Sequence, residues 1–283
     1  MVARSTATLR GQWLGKMLKE LREENRLTLK DAAERLDKKA SSLSRFEAGL
    51  LTISRSDVEK LIDLYGVDGE HQRTALLRLA EEITQTGWWD KYAKDISRTI
   101  DYVWLENRSE RIRTFNPLVV NGLAQTSQYA EAILSAWHPE ASKQQVERWL
   151  SVRMRRQQIL AGDDPVAMTM ILDEAALRRP VGSRDVMLGQ LRHLTRLSQR
   201  PNMQIRIVPF SAGSYPFKAC DATLFKLPDP FPEIVCVESA AGTNFLEGED
   251  VTQVSGLYRR LEGKCLSVDD SVAFLTAVEE ELS

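Results

Sequence analysis

The sequence predicts a mainly α N-terminal domain followed by an α+β C-terminal domain with a small mixed sheet. Its 283 residues, 43% of them hydrophobic, suffice for two domains with separate cores. In residues 9–66, apolar side chains recur at the spacing of amphipathic helices. Residues 165–240 instead contain short alternating segments that are typical of strands. We expect domains at 1–66 and 100–283, joined by a helical coupling segment at 67–99.

The N-terminal domain is organised around two short helices between Leu27 and Gly49. Thr28 is a favourable N-cap for the first helix, and Asp31 completes a pattern like a capping box. The second helix begins near Ala40, and Gly49 follows it as a residue that readily adopts the left-handed conformation. Two helices this short cannot bury a core alone. The residues that predict flanking helices are Trp13, Leu14, Met17, Leu18 and Leu21 upstream, and Val58, Leu61, Ile62 and Leu64 downstream.

The polar side of the second helix carries small and basic side chains, at Lys39, Ser41, Ser42, Ser44 and Arg45. A helix fits the major groove of B-DNA, where Arg can make a bidentate contact to guanine and Ser can contact bases or phosphates. The start of the first helix offers Thr28, Lys30 and backbone N–H groups to a phosphate. The alternative is a small helical bundle whose polar face is only solvated.

A longer pattern favours DNA binding. Its positions are Leu14, Leu18 and Leu21-Arg22; Leu27-Thr28, Ala33 and Leu36; Ser42 to Glu47 with Gly49; and Val58, Leu61 and Tyr65-Gly66. Residues 9–66 thereby resemble the XRE-type (lambda-repressor-like) helix-turn-helix domain. The resemblance implies that bases are read from Lys39, Ala40, Ser41, Ser44 and Arg45.

The sequence departs from that family at two places. Leu29 stands where the family usually has a Gln that clamps a phosphate, and the loop after Gly49 is apolar where basic residues are common. We expect Arg55 to replace part of the missing contact to the DNA backbone. DNA affinity should therefore be modest, or depend more than usual on dimerisation.

Charge and cysteine usage narrow the class of protein. The formal net charge is −2, yet residues 1–65 contain 13 Lys and Arg against 10 Asp and Glu, which weakly supports nucleic acid at this end. No apolar run approaches the length of a membrane span, and the N-terminus lacks a signal-peptide core. Cys220, Cys236 and Cys265 are far apart without metal-ligand spacing, which suits a reducing cytosol. We expect a cytoplasmic protein without membrane association, metal or cofactor.

The C-terminal domain begins with a helix around Val103 and an extended piece through Phe115. The further elements are a helix capped near Thr126 or Ser127, a basic helix at 146–160, strands at 166–172, 203–210, 222–227 and 233–238, and helices at 183–199, 248–261 and 268–282. We expect the helix at 248–261 to be capped near Asp250 and Thr252. One β-α-β unit followed by a hairpin implies a small mixed sheet with helices packed on it.

Two features, one in the coupling segment and one in the C-terminal domain, have more than one interpretation. Trp88 and Trp89 should be buried at a domain or subunit contact, although they could also form a cage for a ligand. The basic helix at 146–160 could bind nucleic acid or an acidic partner, but we favour an ion-paired surface helix. Its basic residues include Arg148, Arg153, Arg155 and Arg156.

A second pattern extends over about residues 100–283. It includes Asn116-Pro117, Gly122 to Thr126, Arg153 to Leu160, Leu172 to Gly182, and Val208 to Phe210 with Gly213. These stretches look like a domain found behind XRE-type helices in actinomycete regulators. The resemblance implies an antitoxin-like transcriptional regulator that binds a small protein encoded by a neighbouring gene, and it brings no catalytic residues.

An enzyme is the less favoured alternative. Asp173-Glu174 and Glu238 could meet in a metal-dependent hydrolytic site, but carboxylates at strand ends also cap helices or bind arginines such as Arg178. No phosphate-binding glycine loop or nucleophile elbow is present. The sequence therefore predicts a homodimeric regulator of a double-stranded DNA operator whose C-terminal domain senses a small protein or a ligand. The remaining alternative is an antitoxin-like protein that mainly sequesters its partner.

Overall fold

The chain divides into two compact units. The computed structural model describes residues 8–84, 87–96, 99–217, 220–229, 231–239 and 242–283. Unit 1 comprises Met1–Trp88 and Asp229–Phe231, and unit 2 comprises Trp89–Pro228 and Pro232–Ser283. The predicted fold class is confirmed, because the N-terminal region is helical and the C-terminal region combines helices with a six-stranded mixed sheet.

Unit 1 is a bundle of short helices around one core. Its helices are α1 (Leu9–Glu24), α2 (Leu29–Arg35), α3 (Ala40–Glu47), α4 (Arg55–Leu64) and α5 (Glu70–Thr84). The predicted apolar stripes meet in the core: Leu14, Leu43 and Leu61 are each at most 1% exposed. The helix α5, which the sequence placed in the coupling segment, packs against α1 and α4. Trp88 of unit 1 is half-buried and Trp89 of unit 2 is buried, and the domain or subunit contact expected for them stays a prediction.

Unit 2 combines a sheet with helices on both faces. Its helices are α6 (Ile100–Arg108), α7 (Ser127–Trp137), α8 (Lys143–Arg156), α9 (Glu174–Arg178), α10 (Arg184–Leu197), α11 (Glu249–Glu262) and α12 (Val268–Leu282). Its strands are β1 (Arg111–Asn116), β2 (Ala167–Asp173), β3 (Met203–Val208), β4 (Asp221–Lys226), β5 (Ile234–Ser239) and β6 (Gly242–Leu246).

The sheet has the strand order β3-β2-β1-β4-β5-β6. Strands β1, β2 and β3 are parallel, so helical connections must carry the chain from one to the next. Strands β4 to β6 pair antiparallel in sequence order. On one face, Tyr258 of α11 joins a core cluster with Phe115 of β1. Tyr102 of α6 packs edge-on against Phe225 of β4, with ring centroids 5.2 Å apart.

Two sequence predictions about these elements need correction. Strand β6 was not foreseen, because its residues are exposed or half-buried and lack the apolar alternation of a strand that covers a core. The N-cap of α11 is Gly248, with φ +60°, so Asp250 and Thr252 lie inside the helix. By contrast, Thr126 caps α7 as predicted, since its hydroxyl accepts a bond from the backbone N–H of Tyr129.

None of the helices in the described residues is long and apolar enough to cross a membrane.

Candidate nucleic-acid interface

The first helix of the predicted pair begins with a complete capping box. The Thr28 hydroxyl accepts a bond from the Asp31 N–H at 3.2 Å, and the Asp31 carboxylate accepts one from the Thr28 N–H at 2.8 Å. Bonds from Thr28 lower the pKa of the Asp31 carboxyl, so this exposed group is ionised at neutral pH. A phosphate bound here would meet a carboxylate as well as N–H groups. Lys30, exposed beside them, supplies the positive charge, and its ammonium lies 3.9 Å from the Glu34 carboxylate.

The turn between α2 and α3 is tight. Asp37 has φ +53°, and the next residue, Lys38, donates its N–H back to the carbonyl of Ala33 at 2.9 Å. The Lys38 ammonium lies 3.4 Å from the Asp57 carboxylate at the start of α4. These contacts tie the turn to two helices, so the start of α3 has a defined position in unit 1.

Helix α3 presents the predicted polar side to solvent. Ser41, Ser44 and Arg45 are exposed and, at spacings of three and four residues, form one stripe along the helix. Lys39, also exposed, is the N-cap residue but makes no side-chain capping bond. Ala40 and Ser42 are half-buried beside the stripe. The structure therefore brings the predicted base-reading residues together on one accessible helix face.

The opposite side of α3 is anchored by a buried ion pair that joins it to α1. Arg22 Nε and Nη2 donate to the two carboxylate oxygens of Glu47 at 2.7 and 2.9 Å, and Nη1 donates to the carbonyl of Leu27 at 2.9 Å. The side chains of Arg22 and Glu47 are 9% and 6% exposed. The bond from Glu47 raises the pKa of Arg22. Both residues belong to the sequence pattern, but their pairing was not predicted.

Backbones also touch where α1 crosses the end of α3. A Cβ atom on Gly15 would lie 2.4 Å from the Glu47 carbonyl oxygen, so only glycine allows this approach. Gly49 has φ +67° and ends α3, which confirms its predicted role as a C-terminal glycine. A Cβ there would also lie 2.7 Å from the backbone nitrogen of Gln12.

Two carboxylates of the protein compete with the DNA phosphate that the sequence predicts at Arg55. Its guanidinium bonds Glu59, and its Nε donates to Glu81 at 2.8 Å. A phosphate at Arg55 would have to replace one of these exposed carboxylates. In the apolar loop before Arg55, Leu50 is 44% exposed, whereas Ile53 is buried in the core.

The three carboxylates considered for a hydrolytic site do not meet. Asp173 ends β2 and Glu238 lies on β5, with β1 and β4 between them, a separation of about 14 Å at the usual strand spacing. Asp173 caps α9 through the Ala175 N–H, and Glu174 bonds Arg178 at 2.6 Å. No group of three or more His, Cys, Asp or Glu in the described ranges could hold a metal ion.

A different pair of carboxylates, unforeseen from the sequence, lies where the central strand β4 begins beside β5. Asp221 stands opposite Glu238 in the β4–β5 register and accepts a bond from Asn116 Nδ2 at 3.3 Å. Burial, and then the nearby Glu238 carboxylate, raise the pKa of Asp221 to about 6. The sequence predicts a hairpin here but not its register, and the register is what places these two residues opposite each other.

A capped helix, a tight turn and a second helix with an exposed polar face define a helix-turn-helix domain, which supports a DNA-binding role. Consistent with this, residues 13–76 match the family model described as a helix-turn-helix domain. Residues 99–277, more than half of the chain, match the domain of unknown function DUF5753, and the chain belongs to that family. No curated protein and no solved structure gives a significant match.

Proposed function

We propose that this protein is a sequence-specific transcriptional regulator that reads an operator with α3, in the manner of XRE-type regulators. The observation that carries the proposal is the exposed stripe of Ser41, Ser44 and Arg45 on a helix anchored from behind by the Arg22–Glu47 pair. A rigid helix with short polar side chains and one Arg can enter the major groove without first changing shape.

The proposal gives the candidate residues different tasks. Arg45 donates to a guanine edge, and Ser41 and Ser44 contact bases or nearby phosphates. Lys39 and the uncapped N–H groups at the start of α3 hold a phosphate, as does Lys30 at the start of α2. Arg55 contributes only after exchanging a carboxylate for a phosphate.

We further propose that the protein acts as a homodimer in the cytoplasm, where its target DNA lies. One helix reads only a few base pairs, whereas two half-sites about 34 Å apart multiply affinity and specificity. Unit 2 would receive the signal, either a small protein encoded by a neighbouring gene or a small molecule. The resemblance to actinomycete antitoxin-like regulators supports a small protein as the signal. The proposal assigns no catalytic step and no cofactor to either unit.

The experiment that tests the proposal selects binding sites for the full-length protein from random double-stranded DNA. The selected sequences should share a motif with two related half-sites. Arg45→Ala should weaken binding to that motif by about 1–3 kcal/mol and relax the preference at one base pair. Lys60→Ala removes a positive charge from the exposed side of α4 and serves as the control, with specificity retained. Selection of no motif, or equal loss with both variants, would refute base reading by α3.

A partner-sequestering function is the second candidate. It is favoured by the Asp31 carboxylate at the start of α2 and by the two carboxylates on Arg55, which oppose phosphate binding. In that case the partner expressed from the neighbouring gene should co-purify equally with wild type and Arg45→Ala. The effect of this protein on the activity of its partner in cells should also be unchanged by Arg45→Ala.

A further inference from the structure

Unit 2 contains a cavity of about 400 Å³ where α6, the end of α7 and α8 come together. This volume lies within the range of about 300–1,000 Å³ that is usual for small-molecule sites. Aliphatic side chains form much of its wall, at Ile96, Val103, Leu134 and Val152. A cavity of this size and lining offers an apolar wall to the hydrophobic part of a small ligand.

One side of the cavity is aromatic and held in place. The rings of His138 and Trp149 pack in a tilted arrangement, with centroids 4.6 Å apart and planes at 49°, and both line the cavity. Trp149 Nε1 donates to the backbone carbonyl of Asp95 at 3.2 Å, which fixes the orientation of the indole. A flat apolar group bound beside Trp149 would therefore meet a preformed surface.

The charged residues at the cavity are mostly paired. Arg156 makes a bidentate contact to Glu106, at 2.7 and 2.6 Å, and the Glu106 side chain is fully buried. The Asp95 carboxylate lies 3.1 Å from Arg148 Nε. The ion-paired character predicted for the basic helix is thus confirmed for Arg148 and Arg156, although Arg156 faces inward rather than the surface.

Arg153, one turn before Arg156 on α8, differs from its neighbours. Its Nη1 donates to the neutral amide oxygen of Gln125 at 2.8 Å, and its guanidinium lies 5.9 Å from the ring centre of Trp137. Burial, and then the charge of Arg156, lower its pKa to about 10, so Arg153 is charged at neutral pH. The carboxylates of Glu238 and Glu106 raise this pKa without touching Arg153, since Glu238 is exposed and Glu106 is bonded to Arg156. Within the described residues, the Arg153 charge is therefore not neutralised by an ion pair in contact.

We propose that this cavity binds a small organic acid, with its carboxylate on Arg153 and its apolar body between Trp149 and the aliphatic wall. Arg153 is half-buried, and a charge partly withdrawn from water is costly without a charged partner. An anion that pairs with Arg153 therefore gains more there than at the protein surface. One unmatched guanidinium suits a monoanion better than a doubly charged phosphate monoester. The inference rests on the proposed function, because it identifies the signal that unit 2 would sense as a small molecule.

The experiment is ligand-observed NMR on the full-length protein without DNA, which detects binding in the millimolar range. The probes are benzoate, indole-3-acetate and octanoate, each compared with its neutral amide. We expect at least one acid to bind wild type at least tenfold more tightly than its amide. Arg153→Gln should abolish that preference, Arg153→Lys should keep part of it, and Arg196→Gln, an exposed arginine on α10, should leave it unchanged.

Three outcomes of the binding experiment would contradict a carboxylate site at Arg153. Failure of all three acids to bind, equal binding of acids and amides, or an acid preference that survives Arg153→Gln would overturn the proposal. Circular dichroism and thermal unfolding establish that Arg153→Gln is folded, and Arg153→Lys provides the test if it is not. Because the assay contains no DNA, its failure leaves the operator selection untouched. Equally, failure to select an operator would leave a positive binding result standing.

Discussion

Replacing Glu47 by Gln tests whether the buried ion pair holds α3 in its reading position. Glu47 and Arg22 are almost fully buried and share two bonds of 2.7 and 2.9 Å. Removing one partner of a buried pair costs about 3–5 kcal/mol, because the other charge stays buried without compensation. Gln keeps the size and one acceptor of Glu, and the Glu23 carboxylate lies 3.5 Å from Arg22 Nη2. We therefore expect the lower end, about 3 kcal/mol, or about a 100-fold rise in local opening.

The assay is hydrogen–deuterium exchange of the full-length protein, read by mass spectrometry on peptides from α1 and α3. Peptides from α10 serve as an internal reference in unit 2. The matched control is Glu34→Gln, which removes a carboxylate that is 67% exposed and 3.9 Å from Lys30. Such a surface pair contributes about 0–1 kcal/mol, so exchange in α1 and α3 should hardly change.

Exchange that is no faster in Glu47→Gln than in Glu34→Gln would show that the ion pair does not hold α3 in place. A further check is the double variant Arg22→Met with Glu47→Met, which leaves no buried charge. Its loss of stability should be smaller than the sum of the losses in the two single variants, because each single variant leaves one buried charge without its partner. Additive losses would mean that the two side chains act by packing and not as a pair.

Three other substitutions test single features of the two units. Gly15→Ala should destabilise unit 1 by about 1–3 kcal/mol in thermal unfolding, because its Cβ would lie 2.4 Å from a carbonyl oxygen of α3. The control is Gly189→Ala, which has no atom near its Cβ and should cause no loss of stability. Arg26→Gly should stabilise unit 1 by about 1 kcal/mol in urea unfolding, since Arg26 has φ +57°, and an unchanged midpoint would contradict this. Asp221 binds its proton more tightly when folded, with a pKa of about 6 against 3.8, so the free energy of unfolding should fall as pH rises between these values. Asp221→Asn should remove this pH dependence and raise the free energy of unfolding by about 1–3 kcal/mol at pH 7.5. Thermal melting of both proteins from pH 4 to 8 measures the difference.

Features that depend on a few neighbouring residues could be predicted from the sequence. The capping box at Thr28 and Asp31 joins residues three positions apart, and the left-handed Gly49 follows from the end of its helix. The exposed stripe on α3 follows from helical periodicity, which separates Ser44 and Arg45 from Leu43. These features suffice to recognise the helix-turn-helix domain and to choose its candidate DNA contacts.

Features that depend on the path of the chain required the tertiary structure. Strand β6 forms because it pairs with β5, although its residues carry little apolar pattern. The partners of Arg55 include Glu81, 26 residues away, and no local rule assigns that carboxylate to that guanidinium. The cavity at Arg153 exists because three helices leave a space between them, which side-chain periodicity on one helix does not define.

The sequence by itself determined the class of each domain, the N-caps at Thr28 and Thr126 and the polar face that would meet DNA. The tertiary structure decided that Arg22 pairs with Glu47, that Asp221 meets Glu238, and that Arg153 keeps a charge without an ion-paired contact among the described residues. The physical reason is range: capping and periodicity act within a few residues, whereas burial and charge pairing depend on which distant segments the fold brings together.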